Sequence, residues 1–210
     1  MCTRFYIEKE NAELQDIMEA GRRSPLMMSF YRKMAKPLLT SGEIRPTDIV
    51  PVIAPNQKGN RSVFPMKWGF TLPKSSNPVV NARIETASEK PMFKEHWQKH
   101  RCIVPASWYY EWEHLASPDG KTKTGRKYLI QPSGSSVTYI CGLYRFEDDL
   151  PVFTILTREP CEELREIHDR MPLILPGDAI NDWINVATDP NALLPLSLTE
   201  MVFEPAEKDL

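Results

Sequence analysis

The chain has 210 residues, 41% hydrophobic and 26% charged, a balance that excludes a disordered tail, a collagen-like rod and a coiled coil. With 26 Lys and Arg against 28 Asp and Glu, the formal net charge is −2; this excludes a general polyanion binder, so any contact with nucleic acid has to come from a local basic patch. Nineteen prolines against nine glycines predict short elements and fixed turns, because proline interrupts helices and is kept out of central strands.

Residues 3–7 read as a first strand, and 11–22 as a helix from the spacing of Leu14, Ile17 and Met18. A polar, proline-containing stretch follows to residue 48. Residues 49–54 and 61–68 read as strands joined by a turn around Asn56–Asn60, 71–78 as a loop, and 90–100 as a short helix with Phe93 and Trp97 four apart. Cys102 to His114 reads as strand, turn, strand, and the polar window 115–126 as an exposed hairpin loop. Strands follow at 127–131, 137–146 and 152–157. A short helix at 161–168, a strand at 173–175, a helix at 177–184 and a Pro-rich tail complete the chain. This order has no regular βαβ repeat. It predicts an α+β fold with a mixed, barrel-like β-sheet core and short helices packed around it, in a single domain over 1–210.

No stretch approaches the length of an apolar membrane span, and Arg4 and Glu8 precede any apolar run, which argues against a signal peptide. Cys2, Cys102, Cys141 and Cys161 are widely spaced with no CxxC pair. They are read as free thiols, and the cytoplasm as the compartment.

Cys2 is the first candidate for chemistry. Methionine aminopeptidase removes an initiating Met when the next residue is small, and Cys qualifies. The exposed terminus would carry an amine and a thiol on adjacent carbons, with ordinary pKa values of about 8 and about 8.5. Such a pair condenses with an aldehyde to an imine and closes to a thiazolidine ring. The alternative is an incidental second residue.

In Trp108-Tyr109-Tyr110-Glu111-Trp112, a strand places Tyr109, Glu111 and Glu113 on one face and the other three aromatics on the opposite one. A carboxyl against an apolar wall has a raised pKa and can donate a proton near neutrality; otherwise Glu111 simply faces solvent. His168, in Ile-His-Asp-Arg-Met-Pro, stands at a turn enforced by Pro172. It is either a proton handler changing charge near pH 6–7 or a helix-capping His. Asn81 can donate and accept, and Arg83 can fork onto a phosphate; otherwise Asn81 makes a turn and Arg83 pairs with Glu85. His96, His100 and Cys102 lack a fourth ligand at zinc spacing, so no metal is expected. No glycine-rich phosphate loop is present, so no nucleotide or other cofactor is expected.

Met-Cys-x-Arg, Trp-Gly-Phe at 68–70, Asn-Ala-Arg-Ile-Glu-Thr-Ala at 81–87, the Tyr110-Glu111-Trp112 segment and His168-Asp-Arg-Met-Pro stand in this order. Together they resemble the SOS-response-associated peptidase family, whose members are also known as abasic-site processing or shielding proteins. The motifs run from Cys2 to about Leu175. The resemblance implies a barrel-like α+β fold, a basic groove for single-stranded DNA and covalent capture of abasic sites. It also implies thiol-dependent autoproteolysis ahead of Cys2. Carried over by residue, it makes Cys2 the nucleophile, Asn81 a hydrogen-bonding partner of the linkage, and Glu111 the acid/base. His168 becomes a second proton handler, while Arg4, Trp68, Arg83 and Arg170 hold phosphates and stack the DNA. Thr3 stands where the family usually has Gly, and the C-terminal tail is short. The reading that follows is a monomeric DNA-damage protein whose partner is single-stranded DNA with abasic sites, with no membrane contact. A cysteine peptidase acting on other proteins and a non-catalytic single-strand binder are the alternatives.

Overall fold

In a computed structural model, residues 2–116 and 122–206 are described. The chain runs β1 (Arg4–Ile7), α1 (Ala12–Arg22), α2 (Leu26–Met34), β2 (Gly42–Ile44), β3 (Ile49–Pro55), β4 (Arg61–Trp68), β5 (Phe70–Leu72), β6 (Ser75–Val79) and β7 (Asn81–Arg83). It continues through α3 (Ile84–Ala87), α4 (Pro91–Lys99), β8 (Arg101–Ala106), β9 (Trp108–Ala116), β10 (Thr122–Pro132), β11 (Thr138–Glu147) and β12 (Leu150–Arg158). Last come β13 (Met171–Pro172), α5 (Ile180–Ile184), α6 (Pro190–Leu193) and β14 (Met201–Pro205).

Strands β11, β8, β3, β4 and β12 lie side by side, and a further pairing of β11 with β12 closes them into a five-stranded barrel. The contact of β12 with β4 is parallel and the others are antiparallel. The expected mixed, barrel-like α+β core is therefore present. β12 is longer than closure needs. Its second half carries β7, with Asn81 opposite Ile155, and β13, with Met171 opposite Arg158. A second sheet, in the order β14-β10-β9-β1-β2, packs against the barrel. Phe5, Ile7, Tyr109 and Ile130 from that sheet share one core with Val52, Ile103 and Phe153 of the barrel.

Helix α1 forms as its spacing predicts: Asn11 caps it by accepting from the Leu14 amide, and Leu14, Ile17 and Met18 are buried. Five expectations are corrected. The polar stretch before residue 48 contains α2, which buries Phe30 and leaves Met28 and Tyr31 exposed. The expected loop 71–78 is the β5–β6 hairpin. It is entered through Gly69, whose φ of +112° no side chain tolerates well and whose Cβ would lie 2.7 Å from Pro78. The helix expected at 161–168 is a single 3-10 turn, Glu162–Leu164. The strand expected at 173–175 forms instead at β13, with Ile174 making only an isolated bridge to Ile140. The expected hairpin loop 115–126 is narrower on both sides, because Leu115 pairs with Lys123 and His114 with Thr124; its tip, 117–121, lies outside the described residues. The four cysteines are free and buried.

Candidate active site around Cys2

β1 lies antiparallel to β9 with Arg4 opposite Tyr110 and Phe5 opposite Tyr109, so the chain entering β1 runs beside Glu111. Cys2 is fully buried there. Its thiol donates to the Arg4 carbonyl at 3.7 Å, and its own carbonyl accepts from Asn81 Nδ2 at 2.9 Å. Asn81 reaches it because β7 is seated on β12. Two polar atoms at the site, Asn81 Oδ1 and Tyr109 Oη, are buried with no hydrogen-bond partner among the described residues. Burial pushes the Cys2 thiol well above its ordinary range, and the nearby Glu111 charge adds to the rise.

The two faces of β9 separate as alternation predicts. Tyr109 and Glu111 turn inward, 0% and 3% exposed. On the other face Lys127 Nζ lies 3.8 Å from the Tyr110 ring centre and 5.6 Å from that of Trp112. Burial raises the Glu111 carboxyl to about 7, so near neutrality it is both a donor and an acceptor. His168 Nε2 lies 3.8 Å from Glu111 Oε2. The His168 amide donates to Leu164 and the His114 amide to Ile167, each bond tying the turn down. Burial lowers the His168 imidazole to about 4, with repulsion from His114 adding to the shift. His168 is therefore uncharged at pH 7, which corrects the expected titration near pH 6–7. Thus Cys2, Asn81, Glu111 and His168 form one cluster drawn from four distant segments.

The four residues expected to hold DNA fare differently. Trp68 is fully buried, packs between Phe5 and Phe153, and donates Nε1–H to the Val80 carbonyl. It has no face left for a base, so its expected stacking role is corrected. Arg170 is 8% exposed. Its two terminal nitrogens grip Glu85 at 2.8 Å each, and one also donates to the Thr157 carbonyl. Desolvation pushes the Glu85 carboxyl up, but the Arg170 bonds outweigh it and hold the group below its ordinary value. Arg170 is thus a structural clamp where a phosphate contact was expected, and it, with Arg83 nearby, answers the charge of Glu85. Arg170→Ala is expected to lower stability by about 2 kcal/mol in urea unfolding, the range for hydrogen bonds to a charged group; an unchanged midpoint would remove the clamp. Arg4 is partly exposed and bonds Glu43 at 3.2 Å. Arg83 is exposed at the end of β7.

From Asn81 an open cavity of about 820 Å³ leads outward, lined by Arg83, Lys90, Phe93 and Arg145 among others. Lys90, Arg145 and His114 went unnoticed in the sequence, and Tyr109 and Asp169 were seen there only as neighbours of Glu111 and His168. Only Tyr109 carried a signal, since it shares the face of Glu111.

The SOS response associated peptidase (SRAP) family profile matches residues 1–209. The abasic site processing protein YoaM of Bacillus subtilis is 36% identical over 154 residues, 68% of this chain and 66% of that protein. The abasic site processing protein YedK of Escherichia coli is 32% identical over 128 residues, 57% of this chain and 54% of that protein. The matched stretch therefore spans less than two thirds of these relatives' length. A protein of Bacteroides thetaiotaomicron has the same fold, with a TM-score of 0.72 at 22% identity over 99% of this chain and 93% of that one. So does a phage-related protein of Bordetella bronchiseptica, with a TM-score of 0.69 at 21% identity over 99% and 95%.

Proposed function

The chain belongs to the SOS response associated peptidase family, and from that premise we propose that it processes abasic sites in single-stranded DNA by covalent capture at Cys2. The observation that carries this reading is the meeting of Asn81 and a carboxyl of pKa about 7 at the buried Cys2.

The first step frees the amine. Cys2 Sγ adds to the carbonyl carbon of residue 1 as its proton passes to Glu111, the amide C–N bond breaks, and Glu111 hands that proton on to the leaving nitrogen. Water then hydrolyses the thioester. This leaves an α-amine and a thiol on Cys2, while Asn81 holds the Cys2 carbonyl in place.

The second step uses the ring-opened sugar. The amine adds to the aldehyde carbon, Glu111 protonates the departing oxygen, and water leaves as the imine forms. The thiol then adds to the imine carbon, and its proton passes through the Glu111 carboxylate to the nitrogen. The sum is aldehyde plus aminothiol giving thiazolidine plus one water. His168, neutral and beside Glu111, accepts the sugar hydroxyl proton as the ring opens. A sulfur that stays protonated is compatible with the capture step, in which nitrogen attacks first.

Arg83, Lys90 and Arg145 along the cavity support passage of a phosphodiester strand. Intact-mass analysis of the protein mixed with a single-abasic-site oligonucleotide tests the reading. The expected adduct is the chain without residue 1 plus the DNA minus one water. Absence of any adduct, or an equal one with undamaged DNA, would overturn it. In the same system Arg83→Ala and Lys90→Ala should each flatten the log–log salt dependence of binding by about 0.7.

A further inference from the structure

β9 and the turn before β13 bring three ligand-type side chains to the solvent edge of the site. One donor atom from each of His114, His168 and Asp169 lies within 4.8 Å of the others, and no other such trio of His, Cys, Asp or Glu occurs among the described residues. His168 Nδ1 accepts from the Arg170 amide at 3.0 Å and stands 2.7 Å from Asp169 Oδ1. These neighbours make opposite demands. The amide needs a lone pair on Nδ1, whereas the carboxylate needs positive charge or a proton there, so either neutral tautomer loses one contact. A cation that takes the Nδ1 lone pair in place of the Arg170 amide answers the imidazole and the carboxylate together.

The His114 ring supplies the third donor, its centre 3.8 Å from that of His168. His114 is exposed and the Asp169 side chain is 70% exposed, so both have room to close onto an ion at the usual N and O bond lengths of about 2.0–2.2 Å. Behind the ring, Nε2 faces the Glu111 carboxylate, the usual outer partner of a metal-bound imidazole. Two imidazoles and one carboxylate suit a borderline transition ion and not Mg²⁺ or Ca²⁺. Three protein ligands leave a position for water.

We propose that His114, His168 and Asp169 form a reversible site for a divalent transition-metal ion of the Zn²⁺ type, and that its occupation withdraws His168 from proton transfer. Binding stands on the geometry alone; the inhibitory consequence rests on the function proposed above. The competing pair, His96 and His100, has Nδ1 atoms 3.0 Å apart but offers only two donors.

The test is calorimetric titration of ZnCl₂ into the full chain near pH 7 with a non-thiol reductant. Wild type should bind one ion. His114→Ala and Asp169→Ala should each weaken binding at least about tenfold, with their thermal unfolding unchanged because both side chains are exposed. His96→Ala and Cys2→Ser should bind as wild type does. Equal affinity in His114→Ala, loss of binding in His96→Ala or Cys2→Ser, or no binding at millimolar Zn²⁺ would overturn the site. A second arm adds saturating Zn²⁺ to the abasic-DNA reaction. Capture should be suppressed in wild type and spared in His114→Ala; equal suppression in both would overturn the inhibitory role. If no adduct forms even without Zn²⁺, the functional reading fails while the calorimetry still decides the metal site.

Discussion

Cys2→Ser is expected to abolish the heat-stable adduct with abasic DNA while leaving the fold intact. The serine hydroxyl occupies the same buried position and can make the same bond to the Arg4 carbonyl. Because the proposed release of residue 1 needs the sulfur, the variant is prepared with its chain starting at residue 2, so an amine remains to condense with the aldehyde. What is lost is the sulfur that closes the ring. The imine should therefore be reversible, disappearing on heating and reappearing as a stable product when borohydride reduces it. Gels run with and without borohydride read this directly, and intact mass confirms the terminus. A heat-stable adduct at wild-type yield from the serine variant would sink the thiazolidine step.

Glu111→Gln should slow capture by roughly 10²-fold, the low end for a lost general acid, with DNA binding unchanged. The pH profile carries the sharper information. The Glu111 carboxyl, raised to about 7 by burial, is protonated below that pH and loses its proton above it. The α-amine becomes nucleophilic as pH rises towards about 8. Their product is a bell with its maximum between about 7 and 8. In Glu111→Gln the alkaline limb should vanish, leaving only the rise from the amine. His168→Gln should lower the rate yet keep the bell, because an imidazole with a pKa of about 4 carries no charge from pH 5 to 9. Rates for the three proteins on one oligonucleotide across that range decide the assignment. A wild-type rate in Glu111→Gln, or loss of the limb near 7 in His168→Gln, would reassign the acid.

What the sequence displayed of this site follows from what local pattern can encode. Strand alternation was enough to put Glu111 with Tyr109 on one face, but left open whether that face turns inward, where burial raises the carboxyl pKa. The His168 shift was not legible, because it depends on burial and on His114, which arrives from another strand. Asp169 and His114 are unremarkable apart in the chain and become a donor set only across β9 and the turn. Trp68 shows the converse failure. An aromatic in a short motif gives no sign of whether its ring meets solvent, and here both neighbouring faces are taken by phenylalanines. Arg170 was misjudged because its carboxylate partner, Glu85, lies 85 residues away. In the fold, α1 announced itself through Leu14, Ile17 and Met18, whereas α2, although Leu26, Met27, Phe30 and Met34 stand at helical spacing, is masked by the polar and proline-containing residues on either side of it. The β5–β6 hairpin hid behind Pro73, Lys74 and two serines, residues that ordinarily mark loops.

Strand β12 both completes the barrel and seats the segments that bear Asn81 and precede β13. It is made late. Cys2 leaves the ribosome about 170 residues before the His168 turn, a lag of about ten to thirty seconds at ordinary elongation rates. Until residue 158 is made β12 is missing, and the sulfur has no closed barrel around it. The shelter that Cys2 enjoys in the finished protein is therefore a gift of its own C-terminal half. Small aldehydes and oxidants reach it most easily on unfinished chains. Damage of that kind should rise with the rate at which new protein is made.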